Sequence, residues 1–234
     1  SAGGSAGDKV GIAGSVSYSN VDNVTEAAID NASVDADSTV VLDARDDSDI
    51  RSVAGSASYG GKAGVGAAVA ISTVDSDTTA RISGAGKTVN GDAGVGATAT
   101  NDNSIVAVAA AVGASQGVAA SGAVTWNVIS NKTEATLSGA TVTASGNAVN
   151  LDADDTADIF AISGNAAIST GQGSVGISAS YNEIDNETYA RATGGSLSGT
   201  SVRVEATEDA TIKAIAAGGS GSSKVAVSGS LGVN

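Results

Sequence analysis

Carboxylates gather at three places along this chain: Asp43, Asp46, Asp47 and Asp49; Asp152, Asp154, Asp155 and Asp158; and Glu205, Glu208 and Asp209. At the matching place in a second stretch the run reads Asn101, Asp102, Asn103. Oxygen-only ligands suit a hard cation, and Asp46, Asp47, Asp102, Asp154, Asp155 and Asp209 are candidate ligands of a weak calcium site. Their order does not match an EF-hand loop and no GGxGxD nonapeptide occurs, so no cofactor is required. The plainer reading is favoured: a solvated acidic turn that aids solubility and blunts lateral strand pairing. Paired carboxylates also serve glycosidases, but that work needs an asymmetric cleft in which one acid has a raised pKa. Acids that recur at intervals mark a scaffold, and the expectation is a protein that is not an enzyme.

Other chemistry is excluded by residue type. The chain has no His and no Cys, which removes thiol nucleophiles, Ser-His-Asp triads, disulfides, and zinc and haem ligation. Gly171, Gly173 and Gly176 formally match GxGxxG, but no helical pattern follows, so the motif reads as a loop entering a strand. Asn-x-Thr occurs at Asn23, Asn131 and Asn186, with Ser76 in the same slot of another stretch. These read as turn asparagines before a strand-starting Thr rather than as glycosylation acceptors. A regular T-x-T spacing is missing, so ice binding is not expected.

The spacing of these features points to a repeat. Thr25, Thr78, Thr133 and Thr188 lie 53, 55 and 55 residues apart, and seven positions before them stand Tyr18, Ile71, Trp126 and Tyr181. A second anchor places Val40, Leu42, Ala44 and Ile50 in register with Val95, Ala97, Ala99 and Ile105, then with Val149, Leu151, Ala153 and Ile159, then with Val202, Val204, Ala206 and Ile212. Two anchors sharing a period of about 54 define four repeats within a single array over 1–234: 10–64, 65–119, 120–174 and 175–227, with 228–234 starting a fifth. The stretch around Lys9–Tyr18 matches that around Lys224–Val233, so the array starts and stops in the same register, as it would with flanking repeats or end-to-end copies.

Within a repeat, side chains alternate with period two, the signature of strands. Ile12, Gly14, Val16 and Tyr18 share one face; Thr25, Ala27 and Ile29 suggest a second strand, Ala32, Val34 and Ala36 a third, Val40, Leu42 and Ala44 a fourth, and Ile50 with Val53 a fifth. Gly-rich stretches at 59–64, 169–174 and 218–224 read as hairpin turns, and 106–114 alternates like its counterparts rather than forming a helix. The fold class expected is all-β, a β-solenoid of four repeats, each making two or three coils in a rod about 40–60 Å long. Repeats built like β-sandwiches from hairpins are the alternative. Tyr18, Ile71, Trp126 and Tyr181 form a ladder expected in a wide part of the interior or at a groove edge; Thr25, Thr78, Thr133 and Thr188 form another.

Composition agrees with a slim stack. Gly numbers 32 and Ala 45 of 234 residues, with no Pro and six aromatics. A net charge of −14 disfavours nucleic acid, and no apolar run reaches 18 residues, so membrane insertion is not expected. The strings IAGSVSYSNVDNVTEAAI and VGISASYNEIDNETYARA resemble repeats of large bacterial exoproteins of type V secretion, the filamentous haemagglutinin-like and leukotoxin-like adhesins. That resemblance implies an exported β-solenoid in an extracellular or cell-surface setting. The function expected is a structural segment, the rod or fibre body of an adhesin or filament. Its partners would be further copies or flanking repeats, and host-cell or matrix carbohydrate or protein. Two alternatives are a filament subunit joined by pairing of its terminal strands, and a surface module that binds carbohydrate or calcium.

Overall fold

Strand alternation persists much further than the polar residues along it suggest. The computed structural model describes residues 1–234. Its strands are β1 (Ala2–Gly7), β2 (Val10–Asp30), β3 (Val34–Ala36), β4 (Val40–Gly60), β5 (Ala63–Ser83), β6 (Thr88–Gly91), β7 (Val95–Ser115) and β8 (Val118–Ser138). They continue with β9 (Thr141–Thr143), β10 (Ala148–Ser169), β11 (Gly173–Ile184), β12 (Glu187–Thr193), β13 (Ser196–Ser198), β14 (Ser201–Ser222) and β15 (Val225–Val233). A full coil is thus two strands of 21 or 22 residues and one of three or four. The separate strands expected at 12–18 and 25–29 are one, β2, and those at 40–44 and 50–53 are likewise one, β4.

The fold is all-β and every pairing is parallel. One sheet runs β1-β4-β7-β10-β14, a second β15-β11-β8-β5-β2 with β12 also on β8, and a short third β13-β9-β6-β3. Each strand pairs with its counterpart one repeat on: Tyr18 lies beside Ile71, Ile71 beside Trp126, and Trp126 beside Tyr181. One repeat therefore makes one coil, not two or three. The array is a broad stack about 20 Å tall, with strands about 70 Å long, rather than a rod of 40–60 Å. The reason is that Asp, Asn and Ser within the strands alternate between water and interior partners, so they do not end them.

The Gly-rich stretches are also not hairpins. β4 and β5 lie in different sheets, and Gly61–Lys62 carries the chain from one to the other. These arcs bond to the arcs of adjacent coils: Lys62 N donates to Lys9 O at 2.7 Å and Val118 N to Lys62 O at 2.9 Å. At the opposite end the corners are left-handed in all four coils, at Asn31, Gly84, Gly139 and Gly194. Gly and Asn are the residues that tolerate this φ.

The interior is a wedge. Beside the short sheet it holds Ile82, Leu137, Val142, Val149 and Leu151. Midway it holds Ile50, Ile105, Ile129 and Ile159. Toward the arcs its apolar residues are all alanine, Ala54, Ala68, Ala70, Ala109, Ala111 and Ala123, interleaved with buried serines such as Ser52, Ser56 and Ser72. Nearest the arcs backbone meets backbone, and a Cβ on Gly64 would lie 2.0 Å from Ala114 O.

Candidate functional site: a buried polar seam

The parity that buries Leu42, Ala44 and Ile50 also turns Asp46 and Ser48 inward. The corresponding interior positions in later coils are Asn101 and Asn103, then Asp155. From the facing sheet come two further ladders, Asn23–Ser76–Asn131–Asn186 and Thr25–Thr78–Thr133–Thr188. A seam of polar side chains thus crosses the interior between two apolar layers.

Both buried carboxylates are satisfied in the same way. Asp46 Oδ1 accepts from Asn23 Nδ2 at 2.8 Å, and its Oδ2 accepts from Ser76 Oγ at 2.9 Å and Ser48 Oγ at 3.1 Å. Asp155 Oδ2 accepts from Thr133 Oγ1 at 2.8 Å, and its Oδ1 accepts from Asn186 Nδ2 at 2.6 Å and Asn131 Nδ2 at 3.3 Å. Between them Asn101 Oδ1 accepts from Thr78 Oγ1 at 3.1 Å while Asn101 Nδ2 donates to Thr133 Oγ1 at 3.2 Å. Asn103 Nδ2 donates to Asn131 Oδ1 at 2.8 Å, and Asn103 Oδ1 accepts from Ser48 N at 3.0 Å. From Asp46 to Asp155 donors and acceptors are matched within and between coils, the condition under which a buried polar network stabilises one arrangement; in the last coil Thr188 Oγ1 has no partner.

Asp155 is 2% exposed. Burial pushes its carboxyl pKa up, and the hydrogen bonds from Thr133, Asn131, Asn101 and Asn186 oppose that rise without cancelling it. Enclosed and bonded on both oxygens, it has no path to an external substrate. Coil four accommodates it by a local break: the strand opens between β11 and β12, where Asn186 turns inward and its Oδ1 accepts from Asn131 N at 3.1 Å.

The six aspartates singled out from the sequence are not brought to one point. Asp46 and Asp155 face the interior from coils separated by that of Asn101, whereas Asp47, Asp102, Asp154 and Asp209 face outward. No three carboxylates of the chain are grouped closely enough to hold a metal ion. The acidic stretch is also not a turn; it lies in the middle of β4, β7, β10 and β14. On the outer face beside it, Asp152 is pushed up by desolvation, against the opposing charge of Arg203.

The Thr ladder faces the interior and joins the seam. Of the Asn-x-Thr asparagines, Asn23 and Asn131 are mid-strand and inward rather than in turns, and Asn131 is 2% exposed; Asn186 lies in the interruption between β11 and β12. The aromatic ladder departs most from expectation. Tyr18, Ile71, Trp126 and Tyr181 lie on the outer face, with Tyr18 68% and Trp126 47% exposed. Trp126 stacks on Tyr181 with centroids 4.4 Å apart, and Tyr181 Oη donates to Glu183 at 2.6 Å.

Asn101, Asn103, Asn131, Ser48 and Ser76 were not picked out as functional from the sequence. The signal for them was parity: positions 46 and 48 continue the inward series 42, 44, 50, and the period carries that parity to every coil.

Fold and seam together define a parallel β-solenoid with one coil per repeat and a hydrogen-bonded interior seam. Comparisons with protein-family models, curated proteins and solved structures find no match to this chain.

Proposed function

We infer that this chain is a non-enzymatic structural segment, the body of an extracellular rod or fibre in a bacterial surface adhesin or filament. The observation that carries the reading is the unbroken coil-on-coil register, in which every long strand pairs along its length with the next repeat. Such a stack derives its stability from nearest-neighbour interfaces and resists extension by many backbone bonds acting together. The seam supports the same reading, because most of its polar side chains bond to one another within and between neighbouring coils. The resemblance to type V-secreted adhesin repeats supports the surface location, and the lack of Cys suits export.

The test is immunolabelling of intact producing cells with antibody raised against the purified chain. Labelled surface projections that shorten when repeats are deleted in frame would support the reading. Label that appears only after lysis would end it.

A second reading has one observation in its favour. β2 and β15 occupy equivalent places in the same sheet, four coils apart, so the free edge of one matches that of the other in register. Copies joined end to end through these edges would form a filament. Deletion of 224–234 should then abolish polymerisation, and filaments that survive the deletion would exclude it.

A further inference from the structure

The half of the solenoid beside the arcs is inside out. Its interior holds Ala, Ser and Gly, while its outer faces carry the large apolar side chains. On the sheet of β2, β5, β8, β11 and β15 the outward residues from Val10 to Tyr18 and their counterparts in every later coil are uncharged. Val16 is 65%, Ile177 59% and Leu231 61% exposed. Immediately beyond the aromatic row the same face turns polar at Asn20 and acidic at Asp22, Asp75 and Asp185.

We propose that this face is where a second copy of the chain docks, flat side to flat side. Three observations select a copy of itself. The first is area: nine residues by five strands cover about 700 Å² per copy, about 1,400 Å² for a pair, within the range of stable specific interfaces. A single exposed apolar patch of that size is larger than monomers ordinarily leave in water. The second is symmetry. Gly14, Ala67, Gly122, Ile177 and Gly229 are the middle row of this apolar half. A two-fold axis along that row lays the apolar half of each copy on that of the other, with the second copy's strands antiparallel.

The third is charge. With strands antiparallel only the apolar halves overlap, and the acidic halves of two chains of net charge −14 extend in opposite directions. The same arrangement carries Lys9 and Lys62 in the arcs toward Asp22 and Asp75 of the second copy, just past the aromatic row. Parallel strands would instead lay acid on acid. Docking of this kind joins solenoids side by side, which goes beyond the end-to-end stacking of coils.

Gly122 lies in the third of the five strands on that middle row, so it sits near the two-fold axis. The chain has no Cys. A Gly122→Cys variant treated with a short bismaleimide should cross-link to itself as a dimer, whereas Gly164→Cys, on the outer face of the other sheet, should remain monomeric on a denaturing gel. Sedimentation velocity of the unmodified chain at about 100 µM, well above a micromolar Kd, should show a dimer. Val69→Lys with Val124→Lys, both outward positions, should raise that Kd at least about tenfold with the β-sheet circular dichroism unchanged. If that pair misfolds, the cysteine experiment decides alone. A monomer at this concentration, or equal cross-linking at 122 and 164, overturns the proposal. So does a monomer that co-sediments with phosphatidylcholine vesicles and shows a blue-shifted Trp126 emission, which would make lipid the occupant.

Discussion

Thr133 Oγ1 donates to Asp155 Oδ2 at 2.8 Å while accepting from Asn101 Nδ2 at 3.2 Å, so one hydroxyl links the two facing sheets and two successive coils. Replacing Thr133 by Val keeps the shape and removes both roles, leaving a buried carboxylate short of a donor. The expected loss is about 1–3 kcal/mol of unfolding free energy, read as a lower denaturant midpoint at unchanged m. Thr133→Ser, which keeps the hydroxyl, should retain most of the stability. Equal losses in the two variants would mean the methyl group, not the hydrogen bond, matters.

The raised pKa of Asp155 has a definite consequence for pH dependence. Its folded value lies above the ordinary 3.8, so between the two values the folded chain binds more protons than the unfolded one. Stability therefore rises as pH falls from neutral through the raised value, and levels off near the ordinary one. Asp152, shifted in the same direction, adds to this. Thermal midpoints should increase on mild acidification, and Asp155→Asn should flatten part of that slope. Asn101 already occupies the equivalent place one coil earlier, so the variant should keep its neutral-pH stability within about 1 kcal/mol. An unchanged slope in the variant would show that the dependence originates elsewhere.

Leu151 is 1% exposed in the apolar layer beside the short sheet. Leu151→Ala should cost about 2–5 kcal/mol, because a layer fixed by ladders on both sides collapses little around the gap. Urea unfolding measures it, and a loss below about 1 kcal/mol would indicate a plastic core.

Near the arcs the opposite error is the damaging one. Gly64→Ala puts a Cβ 2.0 Å from Ala114 O and must force the two sheets apart, at a cost of about 3 kcal/mol or more. Gly96→Ala meets nothing within 4 Å and should raise stability by about 0.4–1 kcal/mol through the unfolded chain. Measured side by side, the two should differ in sign.

The period of about 54, the four repeats and the all-β class were legible because ladder stacking demands like residues one coil apart, and the anchors at Thr25 and Val40 display that demand directly. Parity was legible too, since Leu42, Ala44 and Ile50 mark the inward series. The number of coils per repeat was not. Asp22–Asn23 and Asp46–Asp47 look like turns when each residue is weighed alone, and only their partners across the interior show that a strand can run through them. The direction of the aromatic ladder was likewise hidden, because alternation separates two faces without naming which is inside. That choice was made by the narrow gap between the sheets near the arcs, which admits Ala and Gly and leaves Tyr18, Trp126 and Tyr181 outside. The sequence by itself determined the repeat and the pairing of each residue with its counterpart. Tertiary structure alone decided which face closes on which, because that depends on the distance between two sheets and not on any local preference of the chain.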